Sequence, residues 1–107
     1  MKTMEPLWYR SQHFIAVDHP DFEGHFPGHP VFPAVSQIDL VMQSLSASLR
    51  RDVQIKQVKR AKFLTMIHPG THLDLEIKVI NGSIARWLLR DTRQVCSQGE
   101  FNFVTKP

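Results

Sequence analysis

The stretch Gly24-His25-Phe26-Pro27-Gly28-His29-Pro30-Val31-Phe32-Pro33 decides how this chain of 107 residues is interpreted. Proline fixes its φ angle and has no N–H to donate, so a segment this rich in proline and glycine cannot form a regular helix or a fully paired strand. Residues 18–33 are therefore predicted to form a stiff, shaped loop. Such a loop would present the His25 side chain from a fixed position.

An amphipathic helix is predicted directly after this loop, over residues 34–49. Apolar residues recur there at spacings of three and four, which places them on one face of a helix. The first turn has N–H groups near Ala34 and Val35 without partners inside the helix, and the helix dipole favours negative charge at that end. Asp39 lies about 9 Å along the helix axis, at the border of the apolar surface. The N–H groups near Ala34 and Val35 could form a site for a developing oxyanion.

About five antiparallel strands are predicted from the other patterns. The clearest covers residues 73–79, where apolar and polar side chains alternate as in a sheet with one buried face. A three-residue loop from Asn81 to Ser83 would then pair this strand with the next, placing Val79 opposite Ala85, Ile77 opposite Trp87 and Leu75 opposite Leu89. Further strands are predicted at 8–17, 59–66 and 94–104, the last with Val95, Phe101 and Phe103 on one face.

These elements predict one α+β domain over residues 1–107, with a sheet curled around a single long helix. A hydrophobic content of 42% with only 5 glycines excludes a disordered, low-complexity or collagen-like chain. No apolar run approaches the roughly 20 residues of a membrane span, so we expect a soluble, cytoplasmic protein that does not bind membranes. The single Cys96 fits a reducing compartment. A core this small leaves a sheet edge exposed, so we expect dimerisation.

The charged residues are unevenly distributed. The net charge of +3 is too small to indicate nucleic-acid binding. Six basic residues fall within residues 50–62, and they could attract an acidic partner or serve as a solvated strand edge that resists aggregation. These residues are Arg50, Arg51, Lys56, Lys59, Arg60 and Lys62.

The segment from His25 to Asp39 resembles the signature of the β-hydroxyacyl-acyl carrier protein dehydratases of the FabA and FabZ type. In that family a His-Phe-Pro-Gly-x-Pro stretch precedes Pro-Gly, and an acidic residue follows the histidine by fourteen positions, as Asp39 follows His25 here. A second match covers Arg60-Ala61-Lys62-Phe63-Leu64 and His68-Pro69-Gly70. The resemblance is densest over residues 22–45 and 59–77, and it is greatest to the small dehydratases of aryl polyene pathways.

This resemblance implies a hotdog fold and removal of water from a 3-hydroxyacyl thioester on acyl carrier protein, giving the trans-2-enoyl thioester. His25 would be the base at C2, the N–H groups of Ala34 and Val35 would hold the carbonyl oxygen, and Asp39 would assist departure of the 3-hydroxyl. In the family, the histidine and the acid of one site come from different protomers, which implies a homodimer. No metal and no organic cofactor are expected.

The remaining positions carry less specific expectations. Phe26 and Phe32 are predicted to line an acyl tunnel, with core packing as the alternative. The acidic surface of acyl carrier protein would suit Arg50, Arg51, Lys59, Arg60 and Lys62. The sequence departs from the family at Ala34, where glycine is usual, and its methyl group could narrow the approach to the backbone. Two other functions stay open: a hotdog thioesterase, and a non-catalytic subunit that binds acyl chains or pairs with an active homologue.

Overall fold

The computed structural model describes residues 6–19 and 31–106, which contain one helix and five strands. The strands form one antiparallel sheet in the order β1-β3-β4-β5-β2. This arrangement confirms the predicted α+β class. The elements are β1 (Leu7–Ile15), α1 (Ala34–Leu49), β2 (Asp52–Phe63), β3 (Thr71–Ile80), β4 (Ile84–Arg90) and β5 (Val95–Lys106).

The core lies between α1 and one face of the sheet. The apolar positions of the predicted alternation in β3 are all buried, from Leu73 (1% exposed) to Val79 (4% exposed). Val41 and Leu45 of α1 are completely buried in the same core. Removing this apolar surface from water stabilises the fold by about 25 cal/mol per Å². The helix has the bounds that its periodicity predicts.

The hairpin between β3 and β4 has the predicted register. Val79 pairs with Ala85, Ile77 with Trp87 and Leu75 with Leu89. The loop has three residues because Asn81 and Gly82 both adopt positive φ angles, of 54° and 71°. Asparagine and glycine tolerate that conformation at little cost.

The bounds predicted for β2 are wrong at both ends, since the strand begins at Asp52 rather than at residue 59 and ends at Phe63 rather than at residue 66. β2 is an edge strand whose pairing with β5 continues through two register shifts, between Ile55 and Gln57 and between Val58 and Arg60. These bulges interrupt the alternation of side chains that a regular strand would show. Backbone pairing with a distant strand, rather than the local pattern, therefore determines where β2 begins.

A bulge also corrects the predicted face of β5. Phe101 and Phe103 are buried as expected, but the register shifts between Leu89 and Arg90, so that Val95 pairs with the exposed Arg90. Directly paired residues share a face of the sheet. Val95 therefore lies on the outer face, opposite to the two phenylalanines.

The other predicted bounds shift by small amounts. β1 ends at Ile15 rather than at residue 17, and β5 continues to Lys106 rather than stopping at 104. Within residues 6–19 and 31–106, no helix is long and apolar enough to cross a membrane.

Candidate functional site

The N-terminus of α1 carries backbone donors that have no acceptor among residues 6–19 and 31–106. Pro33, the N-cap, has extended backbone angles (φ −67°, ψ 158°) and offers no side-chain cap. The helical ladder begins with the N–H of Gln37, which donates to the carbonyl of Pro33 at 3.0 Å. The N–H groups of Ala34 and Val35 therefore precede the helical ladder. No acidic residue lies in the first turn to compensate the helix dipole, which favours an anion at this end.

The backbone that enters the helix is held at Phe32. Its N–H donates to the carbonyl of Ile67 at 2.8 Å, and its carbonyl accepts from Nε2 of Gln37 at 3.3 Å. The Phe32 ring is 3% exposed and belongs to the core, with an edge-to-face contact to His19 at 5.1 Å between ring centroids. In the described structure, this ring packs in the core as the alternative interpretation expects.

Asp39 is exposed on the flank of α1 that borders β2. Ser46 lies two turns further along the same flank, and its Oγ accepts the N–H of Val53 in β2 at 3.0 Å. Val35, one turn before Asp39 on this flank, is 73% exposed. The carboxylate of Asp39 and the apolar side chain of Val35 are therefore neighbours at the surface, next to the first turn of α1.

Exposed apolar side chains also lie at the β2 edge of the sheet. Val58 and Phe63 of β2 pair with Phe101 and with the buried Ser97, so their side chains point to the helix side of the sheet. Both remain about 40% exposed in the single chain. The beginning of β2 lies beside the C-terminal half of α1, whereas Ile67, just past its end, reaches Phe32 at the start of the helix. We call this the β2 edge surface: Val58, Phe63, Leu64 and Met66.

The opposite flank of the helix carries a polar cluster that the sequence analysis missed. Nε2 of His13 in β1 lies 2.8 Å from Oγ of Ser11 and 3.2 Å from Oγ of Ser44 in α1. Burial lowers the pKa of His13 below its ordinary 6.5. Ser44 faces β1 whereas Ser46 faces β2, so this cluster does not share a flank with Asp39.

The basic residues that adjoin each other in sequence separate into two groups. Arg50 ends the helix in a left-handed conformation (φ 56°), and Arg51 follows it. Lys62 stands eleven residues further along the chain, a distance of roughly 35 Å in a strand. Lys59, Arg60 and Lys62 therefore lie toward the end of β2 that is nearer to the start of α1.

The Arg60 guanidinium is part of an ion-pair network on the outer face of the sheet. It lies 3.5 Å from Oε1 of Glu100, which Arg86 approaches more closely, at 2.7 Å. The hydrogen bond from Arg86, followed by the charges of both arginines, lowers the pKa of Glu100. All the basic residues of the two groups are exposed.

Two predicted site residues, His25 and Phe26, lie outside the described residues. Among residues 6–19 and 31–106, no group of three or more His, Cys, Asp or Glu side chains is arranged to hold a metal ion.

A family model supplies the decisive comparison. The model of the ApeI-like family, described as ApeI dehydratase, matches residues 6–100. The chain belongs to this family. Among solved structures, a chain of the dehydratase heterocomplex ApeI:P from Xenorhabdus doucetiae has a TM-score of 0.80 at 26% identity. That match covers 94% of this chain and 98% of the other.

Two curated relatives are named 3-hydroxyacyl-[acyl-carrier-protein] dehydratase FabZ. The protein from a Nitratiruptor species is 32% identical over 88 residues, which cover 70% of this chain and 60% of the relative. The one from Myxococcus xanthus is 30% identical over 100 residues, which cover 81% and 65%. The ApeI-like chain thus spans less than two thirds of these relatives.

The fold is shared more widely than the sequence. The fluoroacetyl-CoA thioesterase FlK has a TM-score of 0.74 at 11% identity, over 99% of this chain and 88% of that one. This likeness concerns the fold alone. Together with the ApeI:P chain, it confirms the hotdog fold that the motif implied.

Proposed function

We propose that this chain dehydrates a 3-hydroxyacyl thioester carried by acyl carrier protein. The observation that carries the proposal is the first turn of α1, whose N–H groups have no acceptor in the described part of the chain, one turn before the exposed Asp39. Membership of the ApeI-like family and the names of the FabZ relatives support this reaction. The N–H groups of the first turn and the Asp39 carboxylate can perform steps that this reaction requires.

Removal of water begins at a weakly acidic C–H bond. His25 takes the proton from C2, and negative charge develops on the thioester oxygen. The N–H groups of Ala34 and Val35 stabilise that charge, aided by the dipole of α1. The bond between C3 and its hydroxyl oxygen then breaks, and a double bond forms between C2 and C3. Asp39 orients the hydroxyl, which leaves as water with the proton that His25 removed.

The proposed site is completed by a second subunit. Asp39 is exposed on the flank of α1 that Ser46 connects to β2, and β2 is an edge strand of the sheet formed by residues 6–19 and 31–106. Exposed apolar side chains beside an unpaired strand favour association. We infer a dimer in which the His25 of one subunit acts with the Asp39 of the other. A homologous hotdog subunit could replace the second copy, as the name of the ApeI:P heterocomplex indicates for that protein.

The carrier protein is proposed to dock near one of the two basic groups. Lys59, Arg60 and Lys62 lie toward the end of β2 nearer to the first turn of α1, whereas Arg50 and Arg51 lie at the far end of the helix. The first group is therefore the better position for an acidic carrier that delivers a thioester to Ala34 and Val35. Contact between Phe26 and the acyl chain stays a prediction, as does a place in aryl polyene synthesis.

The experiment is incubation of the purified protein with a 3-hydroxyacyl thioester on acyl carrier protein. Intact mass and enoyl absorbance follow the product. We expect the wild-type protein to remove one water, and His25→Asn and Asp39→Asn to be inactive. Asp74→Asn is the matched control, because Asp74 is an exposed carboxylate on the outer face of β3. Release of a free thiol instead of an enoyl thioester would identify a thioesterase.

A further inference from the structure

Gln37 is a polar residue in the apolar stripe of α1. It precedes Val41 and Leu45 by one and two turns, and both of those residues are completely buried. Gln37 itself is only 3% exposed. Its Oε1 has no hydrogen-bond donor among residues 6–19 and 31–106. Burying an amide with one unpaired end lowers the free energy of unfolding, and an aliphatic side chain at this position would avoid that loss.

The orientation of the Gln37 amide is chemically determined. Its Nε2 lies 3.3 Å from the carbonyl oxygen of Phe32, which can only accept a hydrogen bond. Exchanging Nε2 and Oε1 would bring two acceptors together. The amide is therefore a donor to Phe32.

Gln37 binds two successive carbonyl groups at the start of the helix. Its side chain donates to the carbonyl of Phe32, and its backbone N–H donates to the carbonyl of Pro33 at 3.0 Å. The pyrrolidine ring fixes the φ angle between these two carbonyls. Phe32 is held from the other side as well, by the bond from its N–H to Ile67. Hydrogen bonds and the proline ring therefore restrain the backbone at Phe32 and Pro33, which determines the direction of the first helical turn.

We propose that Gln37 is a positioning residue for the reaction, which fixes the direction of the Ala34 and Val35 N–H groups by holding the Phe32 carbonyl. This inference rests on the proposed dehydration and extends it to a residue that does not touch the substrate. Oxyanion stabilisation requires donors that are already oriented before the charge develops. Pro33 has no side-chain acceptor to cap the helix. Gln37 instead restrains the backbone that enters the helix, by donating to the Phe32 carbonyl from inside the core.

The test compares two variants with the wild-type protein. In Gln37→Met the new side chain has a similar length and no hydrogen-bond donor. We expect kcat for water loss to fall at least about tenfold, because a small misplacement of the Ala34 and Val35 N–H groups is costly in catalysis. KM should change less than about twofold. The midpoint of thermal unfolding of this variant should change little, because removal of the unpaired buried Oε1 offsets the loss of the hydrogen bond to the Phe32 carbonyl. Gln12→Met is the matched control, as Gln12 is exposed on the outer face of β1.

Gln37→Glu provides a readout that a purely structural role would not change. A protonated carboxyl group can donate to the Phe32 carbonyl, whereas a carboxylate cannot. Burial raises the pKa of a carboxyl group, so this transition should fall within about pH 5 to 8. We expect kcat of Gln37→Glu, relative to that of the wild-type protein, to fall as the pH rises through this range. The same ratio for Gln37→Met should stay constant.

Failure of the inference can be distinguished from failure of the proposed function. An active wild-type protein with unchanged kcat in Gln37→Met would overturn the role of Gln37 and leave the dehydration standing. A kcat loss that only follows a lowered unfolding midpoint would overturn it as well. If the wild-type protein removes no water, hydrogen exchange at the Phe32 amide, which donates to the Ile67 carbonyl, still tests the positioning role. Faster exchange in Gln37→Met supports the positioning role, and unchanged exchange contradicts it.

Discussion

Oγ of Ser44, in the helix, lies 3.2 Å from Nε2 of His13, in the edge strand β1. The same nitrogen lies 2.8 Å from Oγ of Ser11. This cluster joins one flank of α1 to β1, while Ser46 joins the other flank to β2 through the N–H of Val53. Two serines, two positions apart, thus connect the helix to both edges of the sheet. The Asp39 flank is the one connected to β2.

The His13 cluster predicts a pH dependence of stability. Burial lowers the pKa of His13 below its ordinary 6.5, so the unfolded chain binds more protons between the lowered pKa and 6.5. This contribution to stability is fully present above pH 6.5 and is lost as the pH falls through that window. His13→Gln should show a smaller loss of unfolding free energy over the same range. Urea unfolding at a series of pH values measures the free energy of unfolding of both proteins. If it depends on pH in the same way for both, the prediction is contradicted.

Gly99 is predicted to be irreplaceable for packing. A Cβ atom there would clash with the ring of Trp87 and with the carbonyl oxygen of Arg60 in the neighbouring strand. The indole is itself fixed, because its Nε1 donates to Oγ of Ser97 at 3.1 Å. Gly99→Ala should therefore lower the unfolding free energy by about 1 to 3 kcal/mol or more. Thermal or urea unfolding tests this, with Gln98→Ala as the control on the opposite face, and equal stability of both variants is incompatible with the clash.

The β2 edge surface is predicted to be the contact between subunits. Phe63→Glu places a charge on a side chain that is 41% exposed in the single chain and that points to the helix side of the sheet. Burying an unpaired carboxylate is costly, so the dimer should dissociate about 100-fold more readily. Sedimentation equilibrium measures the dissociation constant. Val104→Glu is the control, because Val104 is similarly exposed, at 44%, on another strand. An intact Phe63→Glu dimer would place the interface elsewhere.

Local patterns predicted the parts of the fold that local chemistry determines. The alternation from Leu73 to Val79 and the positive φ angles of Asn81 and Gly82 specify the β3–β4 hairpin without any distant contact. The bounds of β2 and the face of Val95 depend on bulges in pairings between distant strands. Such bulges leave no periodic signal in the strand that contains them.

The sequence also predicted only part of the candidate site. The fourteen-residue spacing identified Asp39 and the first turn of α1, whose placement the structure gives. The roles of His25 and Asp39 stay predictions. Gln37 was missed, although a glutamine four residues before the buried Val41 is a visible interruption of the apolar stripe. The His13 and Ser44 pair had no signal, because thirty-one residues separate its members in sequence.

The most direct test of the shared dehydratase site is complementation between two inactive variants. His25→Asn and Asp39→Asn are co-expressed with different tags, and loss of water from the 3-hydroxyacyl thioester is measured for each variant and for the mixture. Each variant alone should be inactive. The mixture should recover about a quarter of the wild-type rate, since half of the randomly formed pairs contain both variants and each of those has one intact site of two. A mixture as inactive as its components, beside an active wild-type protein, would contradict the account.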